Sequence, residues 1–512
     1  MKNTKILALL LILFGFLSCN DLDEELFSAY SADNFYKNED QLLTQTMSVY
    51  SPFRTTTWEQ DAYFLTIYPG RFATSRGNDT YVNHAIYATN QLEPVRYERV
   101  WRALYDAIAK ANTVIKYAPT SPLNAKTPAL VSRYVAEARW MRAYCYFQLV
   151  QFWGNVPIYT EPVESTDNDV LFKGRSPVQE VYDLIIEDLL FANSNLPVTW
   201  TNTGRGRAVK ATAAFLLGKV YLTSAGLPLN KKENYKKAID VLKPLADNPA
   251  LFDVALETNW RNIFSINNEA NKEIIFSHAH NYEVGNGGVL PFWANPSGSL
   301  LGGVISTTGA GYLIAWNPEI LLLFDATDVR RTEGFTYTFA NRLGVSTTYV
   351  TTDTGPNPAG RYAGRNGICS TKYIDPGSTG NTNHSKDFIV YRYADVFLML
   401  AEAYNEDGKA ALALPYLKTI RDRVRATTAI TTTEYDPLKN IIRTERLREL
   451  FGEPGDLFDF RRWGTAELEF NENRLRRWKQ PTKTWEPKFI LSPLPEIELA
   501  KNPKLLPNNP GW

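Results

Sequence analysis

Residues Ala129 to Trp153, ALVSRYVAEARWMRAYCYFQLVQFW, decide the fold class of this chain. Because apolar side chains recur there at steps of three and four, they align on one face of an α-helix. Gly154 and Pro157 follow, in the usual order at a helix C-terminus. The stretch predicts a long helix with a buried stripe, beside which the charged residues are structural and Arg133 pairs with Glu137. The stripe consists of Val131, Tyr134, Val135, Ala138, Met141, Cys145, Leu149 and Phe152.

Two later stretches each combine a helix containing small residues, a turn and a second helix. The first runs from Leu217 to Ala238, and the second runs from Leu400 through Gly408 to Ile420. Small residues let a partner helix approach closely, as in tetratricopeptide-like hairpins. Further hairpins are predicted between the helices near 101–117 and 129–153, and between those near 178–195 and 208–225. The fold class is therefore mainly α.

The chain changes character between about Leu251 and Lys386. Glycine, asparagine, serine and threonine become frequent, and short β-rich runs such as Glu273 to Phe276 appear. We predict a loop-rich insertion with a few short strands. One large domain, residues 19–512, would then comprise a helical scaffold at 30–250 and 387–465, the insertion at about 251–386 and a C-terminal segment at 466–512. Binding residues tend to lie on structured loops of this kind.

The N-terminus has the pattern of an exported lipoprotein. Lys2 and Lys5 precede an apolar run, 6–17, which is too short to span a bilayer and fits a signal peptide. Phe16 to Cys19, FLSC, resembles a bacterial lipobox. We therefore predict a signal peptide at 1–18 and acylation of Cys19. The alternative is ordinary secretion, with an incidental cysteine.

The composition excludes some functions and favours others. Lys plus Arg and Asp plus Glu balance at 55 each, so no basic excess suggests nucleic-acid binding. The chain is rich in aromatic residues, with 28 Tyr, 26 Phe and 12 Trp. Of the two remaining cysteines, Cys145 and Cys369, we expect one to be buried and one incidental, although a disulfide between them is open.

The sequence lacks the constellation of a recognisable enzyme. His278 and His280 alternate on a predicted strand, but no third metal ligand is placed near them, so we expect surface or half-buried histidines. Phosphate loops and nucleophile elbows are absent. Remote carboxylates could pair as in glycoside hydrolases, but aspartates are common in turns and helix caps. We predict no catalysis, cofactor or metal. The carboxylates considered are Asp325, Asp328, Asp353 and Asp375.

Two regions carry the side chains that carbohydrate binding needs. Aromatic rings stack on the C–H faces of sugars, while Asn, Asp and Arg hydrogen bond to hydroxyls. Trp293 is the best candidate platform, since Pro291 and Pro296 bracket it in a glycine-rich loop. Trp101, Trp140, Trp153 and Trp463 lie in helix-packing blocks and are predicted to be core residues. The full predicted site comprises Arg71, Asp79, Tyr81, Asn83 and Tyr87 in the first region and Tyr282, Trp293, Asn295, Tyr312 and Trp316 in the second.

Five blocks in the family's order resemble the SusD/RagB family of outer-membrane nutrient-binding lipoproteins. A departure from the family pattern falls at Pro454, Gly455 and Asp456, where a local loop and one ion pair can differ. The blocks are Glu137 to Pro157 (EARWMRAYCYFQLVQFWGNVP), Gly206 to Leu222 (GRAVKATAAFLLGKVYL), Phe388 to Tyr404 (FIVYRYADVFLMLAEAY), Ile442 to Gly464 (IRTERLRELFGEPGDLFDFRRWG) and Leu491 to Trp512 (LSPLPEIELAKNPKLLPNNPGW).

The resemblance implies a lipid-anchored, SusD-like protein on the outer face of the outer membrane. Such proteins capture oligosaccharides, or sometimes peptides, for a SusC-like TonB-dependent transporter and have no catalytic activity. Their ligand residues often lie before the helix at Trp101 and before a step that matches Asp328 to Arg330 here. The acidic residues 21–25 fit the stretch that often follows the lipidated cysteine. A peptide-binding family member and a helical scaffold that docks surface enzymes are the alternatives.

Overall fold

The computed structural model describes residues 36–74, 94–201, 205–285, 287–295, 314–340, 345–348, 368–377, 384–473 and 482–512. The predicted signal peptide, Cys19 and the acidic residues that follow it lie outside these ranges. No helix among the described residues combines the length and apolar character needed to cross a membrane. The described chain is mainly helical with a few two-stranded sheets, which confirms the predicted fold class.

The main helices of the described residues follow one another in a packed series. Among the longer helices, α3 to α9 each pack against the next one along the chain, and α10 packs on α8. The longer helices are α1 (Glu39–Ser48), α2 (Thr56–Ile67), α3 (Pro94–Tyr117), α4 (Pro128–Trp153), α5 (Val178–Asn195), α6 (Lys210–Ala225), α7 (Asn234–Asp247), α8 (Tyr393–Glu406), α9 (Ala410–Arg423), α10 (Tyr435–Leu450), α11 (Asp456–Trp463) and α12 (Ala466–Glu472). Shorter ones are Pro122–Lys126, Asn168–Leu171, Leu290–Ala294, Val329–Glu333 and Glu496–Lys501.

The predicted hairpins are present as α3 with α4, α6 with α7, and α8 with α9. Gly218 on α6 shows why a small residue is needed. A Cβ at this position would overlap the side chain of Leu242 on α7, so only glycine allows this approach. Helix α5 packs on α4 as well as on α6, so the hairpins form a continuous stack rather than isolated pairs.

Helix α4 confirms the predicted long helix but not its single stripe. From Tyr134 onward most of its side chains are buried, because both α3 and α5 pack on it. The predicted pairing of Arg133 with Glu137 is wrong. Glu137 is buried and accepts hydrogen bonds from Arg207 at 2.5 and 2.9 Å, whereas Arg133 is exposed. A buried carboxylate needs a buried cation, and Arg207 supplies it.

Eight short strands form four antiparallel pairs in the described residues. Strand β2 includes most of the predicted run at Glu273 to Phe276, and its pairing with β8 joins the insertion to the start of α8. The strands are β1 (Ala73–Thr74), β2 (Ile274–His278), β3 (Ala315–Trp316), β4 (Phe335–Thr336), β5 (Thr338–Ala340), β6 (Ser346–Thr348), β7 (Cys369–Ser370) and β8 (Phe388–Arg392). The pairs are β1 with β3, β2 with β8, β4 with β7 and β5 with β6.

The expectations for individual core residues were met in part. Trp101, Trp140 and Trp153 are buried as predicted, while Trp463 is only half-buried. Cys145 and Cys369 form no disulfide with each other, and both are buried, so the expectation of one incidental cysteine was wrong.

A buried ion network at the end of α10 connects the scaffold to the insertion. Glu449 contacts Arg330 at 2.9 Å, Arg392 at 3.0 Å and Arg423 at 2.6 Å. Its carboxylate is completely buried. Burial alone would raise the pKa of Glu449, but Arg423 and Arg392 hold this pKa below its usual range. The carboxylate is thus ionised and shared by residues of the insertion, β8 and α9.

Replacing Glu449 with glutamine should strongly destabilise the protein. Three guanidinium groups would lose a buried counter-charge, and removing one partner of a buried ion pair costs about 3–5 kcal/mol. Because the pKa of Glu449 is lowered on folding, its contribution is present above the unfolded pKa and is lost as the pH falls below it. Urea unfolding at several pH values should therefore show the largest difference from the wild type near neutral pH.

The matched control is Glu434→Gln, which removes an exposed carboxylate just before the same helix. Its free energy of unfolding should stay within about 0.5 kcal/mol of the wild-type value. If Glu449→Gln unfolds at the same urea concentration as this control, the network does not stabilise the fold.

Candidate ligand-binding site

The described ends of the two regions that the sequence selects for ligand binding lie side by side. Ala73 and Thr74 of β1 pair with Trp316 and Ala315 of β3. The backbone N–H of Asn317 also donates to the carbonyl oxygen of Phe72 at 2.8 Å. More than 240 positions separate these strands in the chain. Their pairing therefore places residues 72–74, near the start of the first region, beside residues 315–317, at the end of the second.

Two further segments join this strand pair by backbone hydrogen bonds. Trp316 and Ile368 exchange N–H to carbonyl bonds of 2.9 and 3.0 Å. Ile314 donates to the carbonyl oxygen of Trp293 at 3.1 Å. The side-chain amide of Asn295 then donates to the carbonyl oxygen of Tyr373 at 2.5 Å. The backbone around β1 and β3 thus forms one connected surface that includes the candidate platform.

Trp293 lies on the short helix Leu290–Ala294 and is half-buried. Its ring packs edge-on against Phe292, with ring centroids 4.5 Å apart. Among the predicted aromatic residues whose side chains are described, Trp293 is the one that retains partial exposure. A partly exposed indole supported by a second ring suits a flat apolar ligand surface.

Glu59 on α2 fixes the start of the Trp293 helix. Its carboxylate accepts hydrogen bonds from the backbone N–H groups of Val289 at 2.6 Å and Leu290 at 3.3 Å. Burial raises the pKa of Glu59, while the nearby His280 and these two N–H groups oppose the rise. Sequence reasoning missed this residue because a lone glutamate on a helix gives no sign of a partner 230 positions away.

Trp316 and Asn295 are more buried than the prediction requires of ligand contacts. Trp316 is 3% exposed and packs edge-on against Phe451, and Asn295 is 2% exposed. Asn295 also donates to the carbonyl oxygen of Pro291 at 2.8 Å, so its amide ties the Trp293 helix to Tyr373. Both buried side chains therefore support the surrounding backbone and do not offer a surface to a ligand.

Arg71 lies at the edge of the site with its side chain 33% exposed. It forms a two-pronged ion pair with Glu469 on α12, at 2.9 and 3.2 Å. Asn473, at the end of α12, donates to the carbonyl oxygens of Tyr68 and Gly70 and fixes the same turn. Arg71 is thus held in place by Glu469 while part of its side chain faces solvent.

The remaining predicted residues fall outside what the structure describes. Tyr282 begins a short helical turn, Tyr282–Val284, but its side chain is not described. Asp79, Tyr81, Asn83, Tyr87 and Tyr312 lie outside the described residues.

The histidines are more buried than expected from the sequence. His278 lies between the rings of Phe53 and Phe388, at centroid distances of 5.1 and 5.8 Å, and burial lowers its pKa to about 3. His280 is also buried, with Nε2 3.9 Å from Glu59. The expectation of surface or half-buried histidines was wrong, because β2 runs through the core. Within the described ranges, no cluster of three or more His, Cys, Asp or Glu side chains could hold a metal ion.

The candidate carboxylates of the insertion serve local structure. Asp328 caps the helix Val329–Glu333 and pairs with Arg330 at 2.7 Å. Asp325 accepts hydrogen bonds from Thr428, and Asp375 accepts one from the N–H of Ser385. Asp353 lies outside the described residues.

Comparisons with known proteins identify the family. A model described as the SusD family matches residues 314–512, and a model described as starch-binding and associating with the outer membrane matches residues 22–222. A curated relative, SusD-like protein P2 of Formosa agariphila, is 28% identical over 533 aligned residues that span 100% of both chains. The chain belongs to the SusD family. Trp293 lies between the two matched ranges, in a part of the chain that neither family model matches.

Solved structures of SusD-family proteins share the fold of this chain. A SusD homolog from Bacteroides thetaiotaomicron has a TM-score of 0.78 and 21% identity, covering 94% of this SusD-family chain and 98% of its own. Surface glycan-binding protein A from the same organism, solved in complex with laminarihexaose, has a TM-score of 0.72 and 18% identity, with 92% and 99% coverage. At these identities the likeness concerns the fold alone.

The departure from the family pattern at Asp456 has an electrostatic consequence in this SusD-family protein. Asp456 is the first residue of α11. Its carboxylate lies close to Gly70: a Cβ atom added to that glycine would be 3.6 Å from Oδ2 of Asp456. Burial, together with the carboxylates of Asp459 and Glu469, raises the pKa of Asp456 to about 8. The side chain is therefore protonated at neutral pH.

Replacing Asp456 with asparagine should stabilise the protein at alkaline pH. Because the pKa of Asp456 is raised on folding, its favourable contribution is complete below the unfolded pKa near 4 and is lost as the pH rises through about 8. Asparagine does not ionise, so the variant should gain about 2–5 kcal/mol over the wild type above pH 8. Urea unfolding between pH 5 and pH 9 should show this advantage growing with pH; a constant difference would contradict the raised pKa.

Proposed function

We propose that this SusD-family protein is a cell-surface lipoprotein that captures oligosaccharides and passes them to a TonB-dependent outer-membrane transporter, without catalysis. The observation that carries the proposal is the pairing of β1 with β3 beside the partly exposed Trp293. This pairing combines, at one surface, an aromatic face and the partly exposed side chain of Arg71. Sugar recognition uses this combination of ring stacking and directed hydrogen bonding.

The ligand class is supported by the relatives. One matching family model is described as starch-binding, and a structural neighbour was solved with laminarihexaose. Both ligands are glucans, so soluble starch and laminarin are the first to test. The arrangement around Trp293 also favours a preformed site, because Glu59, Asn295 and the strand pair hold the backbone in place before a ligand arrives.

The N-terminal sequence supports the anchoring part of the proposal. The apolar run before Cys19 is too short to span a bilayer, so an acyl group on the cysteine would be the attachment. The description of one family model also mentions association with the outer membrane. Tethering would keep the binding surface beside a transporter at high effective concentration, which a released protein would lose.

The roles of the described carboxylates support a function without catalysis. Asp325, Asp328 and Asp375 are engaged with Thr428, Arg330 and Ser385 and serve caps or ion pairs. Glycoside hydrolysis needs two carboxyl groups that flank a bound sugar.

Replacing Trp293 with alanine should weaken glucan binding at least about five-fold, because the stacking surface is removed. Its partial exposure means that thermal unfolding should change little. Titration calorimetry with laminarin and soluble starch measures affinity, and a thermal melt of the same samples measures stability. If affinity and stability fall together, Trp293 is a packing residue; if peptides bind and glucans do not, the protein is a peptide-binding member of the family.

The matched control is Tyr435→Ala, which removes an aromatic ring that is 44% exposed at the first turn of α10. Residue 435 lies a helix length, about 24 Å, from the end of α10 that contacts the site. The control should bind glucan like the wild type. If both variants lose glucan affinity equally, Trp293 is not part of the binding site.

Incubating the protein overnight with a glucan that it binds should release no shorter products. Chromatography of the incubated glucan, with a glucanase as the positive control, measures this directly. Cleavage that persists after further purification would contradict the proposed function while leaving the binding site in place.

A further inference from the structure

A cleft of about 910 Å³ lies between the ends of the helical stack and the C-terminal segment, and it shares no residue with the Trp293 surface. The ends of α4 and α6 and the start of α5 form one wall, and α11 and residues 485–510 form the other. The volume is within the range of ligand sites, about 300–1,000 Å³. Nothing in the glucan-binding role uses this cleft.

Hydrogen bonds to the end of α4 hold the C-terminal wall in place. The indole N–H of Trp153 donates to the carbonyl oxygen of Pro493 at 2.9 Å, and the N–H of Ser492 donates to that of Phe152 at 2.8 Å. The amide of Asn509 donates to the carbonyl oxygens of Trp153 and Ser492. The cleft is thus preformed, which lowers the entropic cost of binding.

Large apolar side chains are exposed around the cleft. Leu506 is 59% exposed, Leu227 is 49% exposed and Ile490 is 39% exposed. The three come from different parts of the chain and meet at this one feature. Single exposed apolar residues are common, but a group of them around a concave surface is typical of an interaction site.

Arg175 places a positive charge in the wall of the cleft without a carboxylate partner among the described residues. Its guanidinium group donates instead to the carbonyl oxygens of Asn155 at 2.9 Å, Pro507 at 3.0 Å and Trp153 at 3.4 Å, and to the side-chain oxygen of Asn509. Burial lowers the pKa of Arg175. A half-buried cation held only by neutral groups is costly, and an anion entering the cleft would offset that cost.

Two other basic residues of the cleft differ from Arg175 because carboxylates already neutralise them. Arg462 pairs with Glu402 and Asp459, and Lys504 pairs with Asp169 at 2.6 Å. Arg461 donates to the carbonyl oxygen of Gln151 at 2.7 Å. Glu467 is the acidic residue of the described lining. The lining is therefore basic overall, and Arg175 is the group best placed to receive a carboxylate.

The shape and lining of the cleft favour a peptide over a fatty acid. Its lining mixes apolar side chains, such as Phe458 and Leu506, with charged and amide groups. Amide side chains, including Gln151, Asn155 and Asn508, line the same walls and match the hydrogen-bonding groups of a polypeptide backbone. We propose that this cleft docks a segment of a partner protein that presents apolar side chains around one carboxylate, with Arg175 receiving the carboxylate.

A peptide array tests the proposal with the full-length protein. The array holds ten-residue peptides of serine and glycine that carry two leucines and one glutamate at all spacings. A second array has glutamine in place of each glutamate. The best-binding glutamate peptide, labelled with fluorescein, is then titrated by fluorescence anisotropy. It should bind at least about ten-fold more tightly than its glutamine counterpart, since a charge-assisted bond to arginine would be lost.

Two variants locate binding in the cleft. Arg175→Gln should weaken binding of the glutamate peptide about ten-fold and leave the glutamine peptide nearly unchanged. Leu506→Asp should weaken the binding of both peptides by a similar factor. Because this variant keeps the hydrogen bonds from Arg175 to the carbonyl oxygens, it tests the cleft even if Arg175→Gln fails to fold. The controls are Arg133→Gln on α4 and Leu412→Asp on α9, which change exposed side chains outside the cleft and should bind like the wild type.

Equal binding of the glutamate and glutamine peptides, or wild-type binding by Leu506→Asp, would overturn the proposal. So would a result in which no peptide binds but Arg175→Gln lowers the affinity for sodium laurate or laminarin. Trp293→Ala should bind the peptide normally. The docking cleft and the glucan site can therefore succeed or fail separately.

Discussion

The buried ion network around Glu449 is the interaction on which the rest of the structure depends. Glu445 and Glu449 lie one helical turn apart on α10, so both carboxylates face the same way and share Arg330 between them. Arg392 extends the network to Glu273 and Glu453. Every one of these groups would be costly to bury alone, so their mutual neutralisation specifies how α10 meets β8 and the insertion.

The network is also linked by contacts to the candidate ligand-binding surface. Arg330 belongs to the helix that leads into β4, and β4 pairs with β7. Ile368, just before β7, exchanges hydrogen bonds with Trp316, and Trp316 in turn pairs with Ala73. Lys372 and Tyr373 reach back to the end of α10 through the carbonyl oxygens of Glu449 and Gly452. A succession of short pairings thus connects the buried charges to Trp293.

The candidate site shows how far residue types can guide a prediction. Trp293 could be selected from its glycine-rich, proline-bracketed setting, and it is half-buried on the surface formed around β1 and β3. Trp316 has an equally suitable sequence context, yet Phe451 covers it, because that phenylalanine follows α10. Glu59 and the strand pairing could not be predicted. Their partners are remote in the chain, and pairings of two residues leave no periodic pattern.

The sequence by itself determined the helical hairpins and the family. These depend on local spacing: apolar residues at steps of three and four, Gly218 within a helix, and motifs whose letters are contiguous. Only the tertiary structure decided which charges meet and which aromatic rings stay exposed. It paired Glu137 with Arg207 instead of Arg133 and left Arg175 without a carboxylate among the described residues. Burial and charge neutralisation depend on residues from several segments at once, and no single stretch of sequence contains that information.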